Sequence, residues 1–166
     1  MLKFIGGDLF ESRAQTLVNA VNTVGIMGKG IALEFKKRYP GMFEEYRQLC
    51  DDGLLDVGEL HLYKANDHWI LNLPTKHHYR NKSRLEYIRA GLCRLRDNYA
   101  EWSITSIAMP ALGCGLGGLS WSEVREAIEE YLGDLPIEIE VYEPDTVVRT
   151  EDLSPEDVQP VQLHLL

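Results

Sequence analysis

Short apolar segments alternate with amphipathic helical segments through most of this chain. The apolar segments are rich in β-branched and aromatic residues and are bounded by Gly, Pro, Asn or Asp, which is typical of strands. They cover residues 2–5, 17–21, 60–63, 69–73, 104–109 and 137–142. The alternation predicts an α/β fold in which helices cover both faces of one sheet. The short connection from Tyr63 to Trp69 indicates a hairpin, so we expect a mixed sheet.

Two helices are marked by capping boxes, in which a serine precedes a glutamate by three residues. The boxes cover residues 83–86 and 120–123, and each is followed by apolar residues at helical spacing. The two apolar stripes are Leu85, Ile88, Leu92, Leu95 and Tyr99, and Val124, Ala127, Ile128, Tyr131 and Leu132, with Gly133 as the predicted stop. A third helical stretch covers residues 31–38, is interrupted at Pro40-Gly41 and resumes through Leu49.

Composition restricts the class of protein. The 166 residues are 45% hydrophobic and 26% charged, which suffices for one domain with a buried core. The net charge of −9 means that a nucleic acid must be held by a local basic patch. Three cysteines without a CxxC pair, no signal-peptide pattern and no long apolar run predict a reduced, cytoplasmic protein that does not bind membranes.

We expect two regions, a domain over residues 1–143 and an acidic tail over residues 144–166. After Glu143 the chain has three prolines, several acidic residues and few large apolar side chains. Such a composition does not support a core of its own. The second region is therefore interpreted as a tail, or as the start of a linker to a further C-terminal region.

Two glycine-rich loops each connect a predicted strand to a helix. The first glycine loop (residues 22–30) reads NTVGIMGKG, and the second (residues 110–118) reads PALGCGLGG. Glycines let the backbone approach a ligand closely and aim several N–H groups at one point, and the helix after the first loop presents its positive end there. The pair predicts a grip on the two halves of a diphosphate. Neither a GxGxxG motif in register nor a P-loop is present.

Three residues near these loops have chemistry suited to a nucleotide site, and each also has a structural interpretation. Asp8 follows the first strand, where it could bind the amine of adenine or cap a helix or turn. Asn22 could bind ribose hydroxyls or form a turn. Cys114 could be a nucleophile, but no motif places a histidine beside it, which favours a non-catalytic thiol.

A basic segment (residues 76–84) follows the predicted strand at 69–73. Its sequence, KHHYRNKSR, mixes cations with aromatic rings in an otherwise acidic chain. Cations pair with phosphates and rings stack on bases, so the segment suits single-stranded nucleic acid, the alternative being a solvated loop. Because His77 and His78 are adjacent and no HxH or HExxH spacing occurs, we expect no metal site.

Four sequence segments together resemble the macrodomain family. They are GGDLF, VNAVN followed by GIMGKGIALEFKKRYP, LNLPTKHHYRNKSRLEYI and MPALGCGLGGLSW, and the match covers residues 2–143. The last two segments are similar to the branch that contains DarG-type bacterial antitoxins and the human terminal ADP-ribose protein glycohydrolase. The resemblance implies a three-layer α/β/α macrodomain with a mixed central sheet, and ADP-ribose lying across the C-terminal strand ends.

The resemblance also implies residue roles. Lys76 would be catalytic in removing ADP-ribose from thymidine in single-stranded DNA, reversing the action of a DarT-type toxin, a DNA ADP-ribosyltransferase. The implied ADP-ribose ligands are Asp8, Leu9, Asn22, Gly28, Lys29, Gly30, Gly113, Cys114, Gly115, Leu116 and Gly117. The residues expected to face DNA are His77, His78, Tyr79, Arg80 and Lys82. No cofactor is expected.

The chemistry of Lys76 is left open at this point. A lysine in an apolar pocket loses proton affinity and can act as an amine nucleophile that forms a Schiff base with the opened sugar. Alternatively it positions a water or protonates the leaving group. The human relative carries an acidic residue at the position of Gly117, so its mechanism does not transfer whole. A substrate phosphate, a water, His77 or His78 would take that part.

Four alternative functions remain open. The domain could be a reader that binds ADP-ribose without cleaving it, or a hydrolase of protein-linked ADP-ribose. It could block a toxin by contact, or act as a phosphatase on phosphorylated ADP-ribose. The phosphatase gives no reason for the basic segment.

Overall fold

The computed structural model describes residues 1–145 and contains six strands and four α-helices in that range. They are β1 (Leu2–Ile5), β2 (Thr16–Val21), α1 (Gly30–Arg38), α2 (Pro40–Asp51), β3 (His61–Lys64), β4 (Trp69–Pro74), α3 (Leu85–Asn98), β5 (Ser106–Met109), α4 (Trp121–Leu132) and β6 (Glu138–Tyr142). A short 3-10 helix, Leu9–Glu11, follows β1. Of the predicted tail over residues 144–166, all but the first two residues lie outside the described range.

The strands form one sheet in the order β1-β6-β5-β2-β4-β3. Neighbouring strands are parallel except for β3 and β4, which form the hairpin predicted around Tyr63 and Trp69. The predicted mixed sheet is therefore confirmed. Within residues 1–145, no helix combines the length and the apolar character that a membrane crossing requires.

The two faces of the sheet bury alternate residues of the same strands, as the pleat requires. On one face Val18, Leu71 and Ile107 pack in the core that α3 and α4 cover. On the other face Leu17 and Ile70 pack in the core that α1 and α2 cover. Burying each Leu or Ile side chain fully stabilises the fold by about 1.5–3 kcal/mol relative to leaving that side chain exposed. The three-layer α/β/α arrangement is thus confirmed.

The predicted capping boxes do not form. Helix α3 has Arg84 as its N-cap, and that side chain makes no capping bond. Ser83 is buried and its hydroxyl oxygen lies 3.0 Å from that of Thr75. Ser120 does precede α4, but its hydroxyl bonds that of Ser122 at 2.9 Å. The box prediction was wrong because other hydroxyls compete for these serines.

The break between the first two helices falls one residue before the predicted position. Tyr39, with φ −131° and ψ 69°, separates α1 from α2, and Pro40 opens α2 where its missing N–H costs nothing. Gly41 follows because a Cβ there would lie 2.6 Å from the hydroxyl of Tyr63. The two helices can therefore stay short and cover one face of the sheet.

Parallel strand order determines where the loops meet. The first glycine loop follows β2, the basic segment follows β4, and the second glycine loop follows β5. These three strands are neighbours in the order β5-β2-β4 and run in the same direction. All three segments consequently leave the same edge of the sheet side by side, where open α/β sheets bind their ligands.

Candidate functional site

The first glycine loop is held in shape by Asn22. The side-chain oxygen of Asn22 accepts hydrogen bonds from the N–H groups of Val24 (3.1 Å) and Ile26 (3.4 Å), and its amide nitrogen donates to the carbonyl of Ile26 (2.7 Å). Tyr46 of α2 donates its hydroxyl to both the backbone and the side-chain oxygen of Asn22, each at 2.8 Å. The hydrogen bonds of Asn22 thus fix the shape of the loop, which is the structural role that the sequence left open for it.

Tyr46 supports this arrangement from inside the core. Its side chain is fully buried, and burial, followed by the neighbouring Cys50, raises the pKa of Tyr46 above the usual tyrosine range. The hydroxyl therefore remains a donor to Asn22 at any physiological pH. Tyr46 lies in the helical stretch predicted to resume through Leu49, and its role in the loop does not follow from the sequence.

The second glycine loop touches the first. The side chain of Leu116 reaches to 3.6 Å of the position that a Cβ on Gly30 would occupy. Gly30 and Gly113 have φ of +58° and +72°, a conformation that favours glycine. Gly115 has no positive φ, and a Cβ there would meet nothing within 4 Å. Nothing in residues 1–145 requires glycine at 115, and the space beside its backbone is open to a ligand.

Lys76 is tied by its neighbours to the first glycine loop. The N–H of Thr75 donates to the carbonyl of Val21 at the end of β2, at 2.9 Å. The carbonyl of His77 accepts from the N–H of Thr23 at 2.9 Å and from its hydroxyl at 3.2 Å. The backbone on either side of Lys76 is therefore fixed against the strand and the loop that carry Asn22.

The other end of the basic segment is tied to the second glycine loop. The N–H of Ser83 donates to the carbonyl of Gly117 at 3.0 Å, and the N–H of Arg84 donates to the carbonyl of Thr75 at 3.1 Å. The segment thus bridges the two glycine loops, with Lys76 at the start of the bridge. This bridging does not follow from sequence spacing.

The amine of Lys76 is in an unusual electrostatic setting. The residue is partly buried, and this desolvation lowers the pKa of Lys76 below the usual lysine range. Among residues 1–145 no carboxylate forms an ion pair with it. A lysine with these properties supplies a neutral amine more readily than a solvated one.

Cys114 does not have the properties of a nucleophile. Its thiol is half-buried and lies 3.6 Å from the carbonyl oxygen of Leu112. Burial raises the pKa of Cys114 to about 11, so the group is a protonated thiol at neutral pH. The geometry favours a residue that lines the loop without reacting.

Asp8 and Leu9 stand further along the same edge of the sheet. One carboxylate oxygen of Asp8 accepts the N–H of Phe10 at 2.9 Å and caps the short 3-10 helix, which is the structural role foreseen for it. Leu9 packs its side chain into the core beneath α1 and α2. Asp8 therefore has a second carboxylate oxygen that can meet a ligand, whereas Leu9, with its side chain buried, can meet one through its backbone.

The basic segment carries a stack of rings and cations on the surface. His78 stacks on Tyr79 with ring centroids 4.2 Å apart, and Arg80 lies 5.5 Å from the centroid of Tyr79. His77 is 3.6 Å from the carboxylate of Asp56 and contacts the ring of Tyr87 edge-on. The cations Lys29 and Lys82 are also exposed on these loops.

Exposed apolar side chains are concentrated at this edge. Val24, Ile26, Tyr79 and Leu116 are four of the six large exposed hydrophobic residues among residues 1–145. Leu116, with 69% of its surface exposed, is the most accessible of the four. Such a concentration indicates a binding surface. No group of three or more metal-ligating side chains comes together in the described part of the chain.

Known proteins are similar to this chain over most of its length. The Macro domain family matches residues 18–128. A DNA ADP-ribosyl glycohydrolase of Thermus aquaticus is 44% identical, with 87% of this chain and 41% of the relative covered. Human ADP-ribose glycohydrolase OARD1 is 30% identical, with 85% and 90% covered. The chain thus spans about two fifths of the bacterial relative but most of the human one.

Solved structures agree with this. The macrodomain of Thermus aquaticus DarG superposes with a TM-score of 0.83 at 44% identity, covering 87% of this chain and 99% of that one. Thermosipho africanus DarTG in complex with ADP-ribose gives 0.84 at 39% identity, covering 95% and 45%. The matched residues 18–128 contain both glycine loops and Lys76, and the resemblance seen in the sequence is confirmed. The chain belongs to the macrodomain family.

Proposed function

We propose that this chain removes ADP-ribose from thymidine in single-stranded DNA, with Lys76 as the catalytic residue. The observation that carries the proposal is the position of Lys76 on a segment bonded to both glycine loops, with an amine that is partly desolvated. The similarity to DNA ADP-ribosyl glycohydrolases supports the choice of substrate. The relative solved in complex with ADP-ribose supports the choice of ligand.

The two glycine loops would hold the diphosphate and the adjoining ribose. N–H groups from Gly28 to Gly30 and the start of α1 would face one phosphate, since a helix N-terminus favours an anion. The loop from Gly113 to Gly117 would wrap the other, with Gly115 at the closest approach. Asp8 would accept the adenine amine on its second oxygen.

The basic segment would hold the DNA. Tyr79 presents an exposed ring on which a base can stack, and Arg80, Lys82 and the adjacent histidines offer donors to phosphates. The net charge of −9 makes such a local patch necessary for any contact with a polyanion. The patch starts at Lys76 itself, so bound DNA would pass directly beside the reacting sugar.

The reaction replaces the bond from the anomeric carbon to the thymine nitrogen with a bond to a water oxygen. As a nucleophile, neutral Lys76 bonds the anomeric carbon while thymine leaves with the electron pair of the broken bond, and thymine takes the proton that the alkylated amine loses. The sugar–amine adduct opens to a Schiff base, and water then adds to that carbon and returns the amine. As an acid, Lys76 protonates the leaving thymine while water attacks directly.

The experiment compares wild type with Lys76→Ala and Lys76→Arg on an oligonucleotide that carries ADP-ribosylated thymidine. We expect ADP-ribose release from wild type alone, and ADP-ribose binding by all three in calorimetry. Borohydride added during turnover traps a covalent adduct on Lys76 if the Schiff base forms. Equal release by Lys76→Ala would remove Lys76 from the mechanism, and binding without release by wild type would identify a reader.

A second candidate is hydrolysis of protein-linked ADP-ribose. The observation in its favour is the similarity to human OARD1 over nearly the full length of that enzyme. Hydrolysis of protein-linked ADP-ribose gives no role to the basic segment. Equal amounts of DNA-linked and protein-linked substrate, assayed side by side, decide between the two candidates by the ratio of their kcat/KM values.

We further propose that the biological counterpart is a DarT-type toxin that attaches ADP-ribose to DNA in the cytoplasm. One relative is named a DNA ADP-ribosyl transferase–DNA ADP-ribosyl glycohydrolase fusion protein, which supports a link between the two activities. All three cysteines are free, which suits a reducing compartment. Co-expression with such a toxin, using wild type and Lys76→Ala, separates rescue by catalysis from rescue by contact.

A further inference from the structure

The geometry points to a buried hydroxyl latch, formed by Thr75 and Ser83, that positions Lys76 for the reaction. The inference rests on the proposed function of Lys76 and adds two residues to it. Neither hydroxyl has a place in the mechanism above, and the sequence predicted this contact for neither residue. Both are positioning residues, because they act through Lys76 and not on the substrate.

The latch is a contact between two buried hydroxyl groups. Thr75 is 2% exposed and Ser83 is 5% exposed, and their oxygens are 3.0 Å apart. The backbone repeats the connection, because the N–H of Arg84 donates to the carbonyl of Thr75 at 3.1 Å. The residue immediately before Lys76 is thus fixed by both its side chain and its main chain to the start of α3.

The residue immediately after Lys76 is fixed independently. The carbonyl of His77 accepts two hydrogen bonds from Thr23 of the first glycine loop. With Thr75 and His77 both anchored, the backbone of Lys76 has little freedom left. Loss of the latch would remove the side-chain part of the first anchor, while the backbone bonds of Thr75 to Val21 and Arg84 and the contact of His77 with Thr23 stay intact.

Ser83 and the carbonyl of Gly113 together explain why position 117 is glycine in this chain. The φ of Gly117 is not in the left-handed region, so its backbone conformation alone would accept any residue. A Cβ there would overlap the hydroxyl of Ser83 and lie 2.5 Å from the carbonyl oxygen of Gly113. A carboxylate at 117 and the latch therefore exclude one another. Where the human relative was expected to carry an acidic residue, this chain has Gly117, and the latch serine occupies the space beside it.

The consequence for catalysis is one of placement. Displacing a reacting group by about 1 Å lowers the rate on the order of 100-fold, while ligand binding elsewhere in the cleft is little affected. A looser Thr75 side chain would also let more water reach the Lys76 amine. The latch therefore predicts a loss in kcat accompanied by a change in the titration of Lys76.

The test uses the full chain and three substitutions. Thr75→Val keeps the shape of the side chain without its hydroxyl, Ser83→Ala removes the partner, and Thr75→Ser restores a hydroxyl at 75. Thr16→Val is the matched control, because Thr16 is equally buried but opens β2 at the opposite edge of the sheet. The measurements are kcat and KM on the ADP-ribosylated oligonucleotide, ADP-ribose binding, and the NMR titration of the Lys76 amine.

We expect Thr75→Val and Ser83→Ala each to lower kcat by roughly 10- to 100-fold with little change in KM. Thr75→Ser should recover most of the lost kcat. A variant with both Thr75→Val and Ser83→Ala should have a kcat no lower than either single variant. Thr16→Val should keep the kcat of wild type. A kcat for Thr75→Val that matches Thr16→Val would overturn the latch, as would a Thr75→Ser variant as slow as Thr75→Val.

The titration keeps this inference separate from the proposed function. If wild type releases no ADP-ribose from any substrate, the proposed function fails, but the NMR experiment still decides the latch. A Lys76 midpoint that is higher in Thr75→Val than in Thr75→Ser supports the latch. Identical midpoints in the two variants overturn it.

Discussion

The partly desolvated amine of Lys76 leads to a definite pH dependence. Burial lowers the pKa of Lys76, so the neutral amine becomes populated at a lower pH than for a solvated lysine. If the neutral amine is the nucleophile, kcat rises with pH, and the midpoint of the rise falls below the usual lysine range. Lys76→Arg should be inactive at every pH, since a guanidinium stays protonated. A pH–rate profile under saturating substrate checks this, and a kcat that falls over the same range would assign Lys76 the role of acid instead.

Tyr46 provides a second test, because it controls the first glycine loop from within the core. Tyr46→Phe removes the donor to both oxygens of Asn22 and leaves those buried acceptors less well satisfied. We expect a loss of about 1–3 kcal/mol in the free energy of unfolding and a weaker affinity for ADP-ribose. Urea unfolding and calorimetry measure the two effects.

The control for Tyr46 is Tyr39→Phe. The Tyr39 hydroxyl donates to Asp67 at 2.9 Å near the β3–β4 hairpin, away from the loop edge. Tyr39→Phe should therefore leave the affinity for ADP-ribose unchanged. An equal affinity in Tyr46→Phe and wild type would show that the loop keeps its shape without this contact.

Individual residues in the loops could be identified from the sequence, but their partners could not. The glycines and Asn22 form a recognisable local pattern, whereas the Tyr46 that holds Asn22 is 24 positions away. Ser83 was misread as a cap because S-x-x-E is a local signal. Its actual partner, Thr75, is brought near by the chain returning from β4 to α3.

At the scale of elements, strand positions follow from apolar runs, while strand ends and order do not. The segment predicted as 104–109 begins as a strand only at Ser106, because the N–H of Ile104 bonds Tyr99 and that of Thr105 bonds the side chain of Gln15. The order β1-β6-β5-β2-β4-β3 depends on which helices cover which face. Buried strands of similar composition do not specify their neighbours.

The basic segment is the element whose role is most directly testable. Tyr79→Ala and Arg80→Ala should weaken cleavage of an ADP-ribosylated oligonucleotide but not of ADP-ribosylated thymidine alone. Stacking on one aromatic ring contributes about 1–3 kcal/mol, so KM should rise accordingly and the salt dependence should fall for Arg80→Ala. Arg94→Ala, an exposed charge in the second half of α3, is the control. An equal loss on the nucleoside would mean that the segment acts on the sugar site and not on the DNA.

At the scale of the whole molecule, a network of hydrogen-bonded polar side chains, buried except at Glu45, crosses the sheet beneath α2. Asn19 donates to Asn72 at 3.1 Å, Asn72 donates to His61 at 3.0 Å, and the other ring nitrogen of His61 is 3.1 Å from Glu45. These hydrogen bonds link β2, β4, β3 and α2 through side chains alone. Asn72 is the central member of the network, since it satisfies partners on both sides.

We expect Asn72→Leu to be among the most destabilising substitutions in this chain. It leaves Asn19 and His61 buried without their partner, at a cost of about 1–3 kcal/mol for each. Unfolding in urea measures the loss, with Asn98→Ala as a control at a partly exposed asparagine that bonds its own helix. A variant as stable as wild type would show that water or repacked side chains replace the hydrogen bonds of Asn72.

The last prediction concerns the extent of the domain. A chain ending at Asp145 should keep its melting temperature and its activity on the oligonucleotide, because β6 ends at Tyr142 and Glu143 is already held. Its N–H bonds Ile5 at 2.8 Å and its carboxylate pairs with Arg125 at 3.6 Å. The truncation removes one arginine and four carboxylates, so the repulsion between protein and DNA decreases and KM at low salt should fall or stay level.

Thermal unfolding of both chains measures the melting temperature, and kinetics on the oligonucleotide measure kcat and KM. A large drop in melting temperature would show that residues beyond 145 complete the core, and would move the domain boundary proposed at 143.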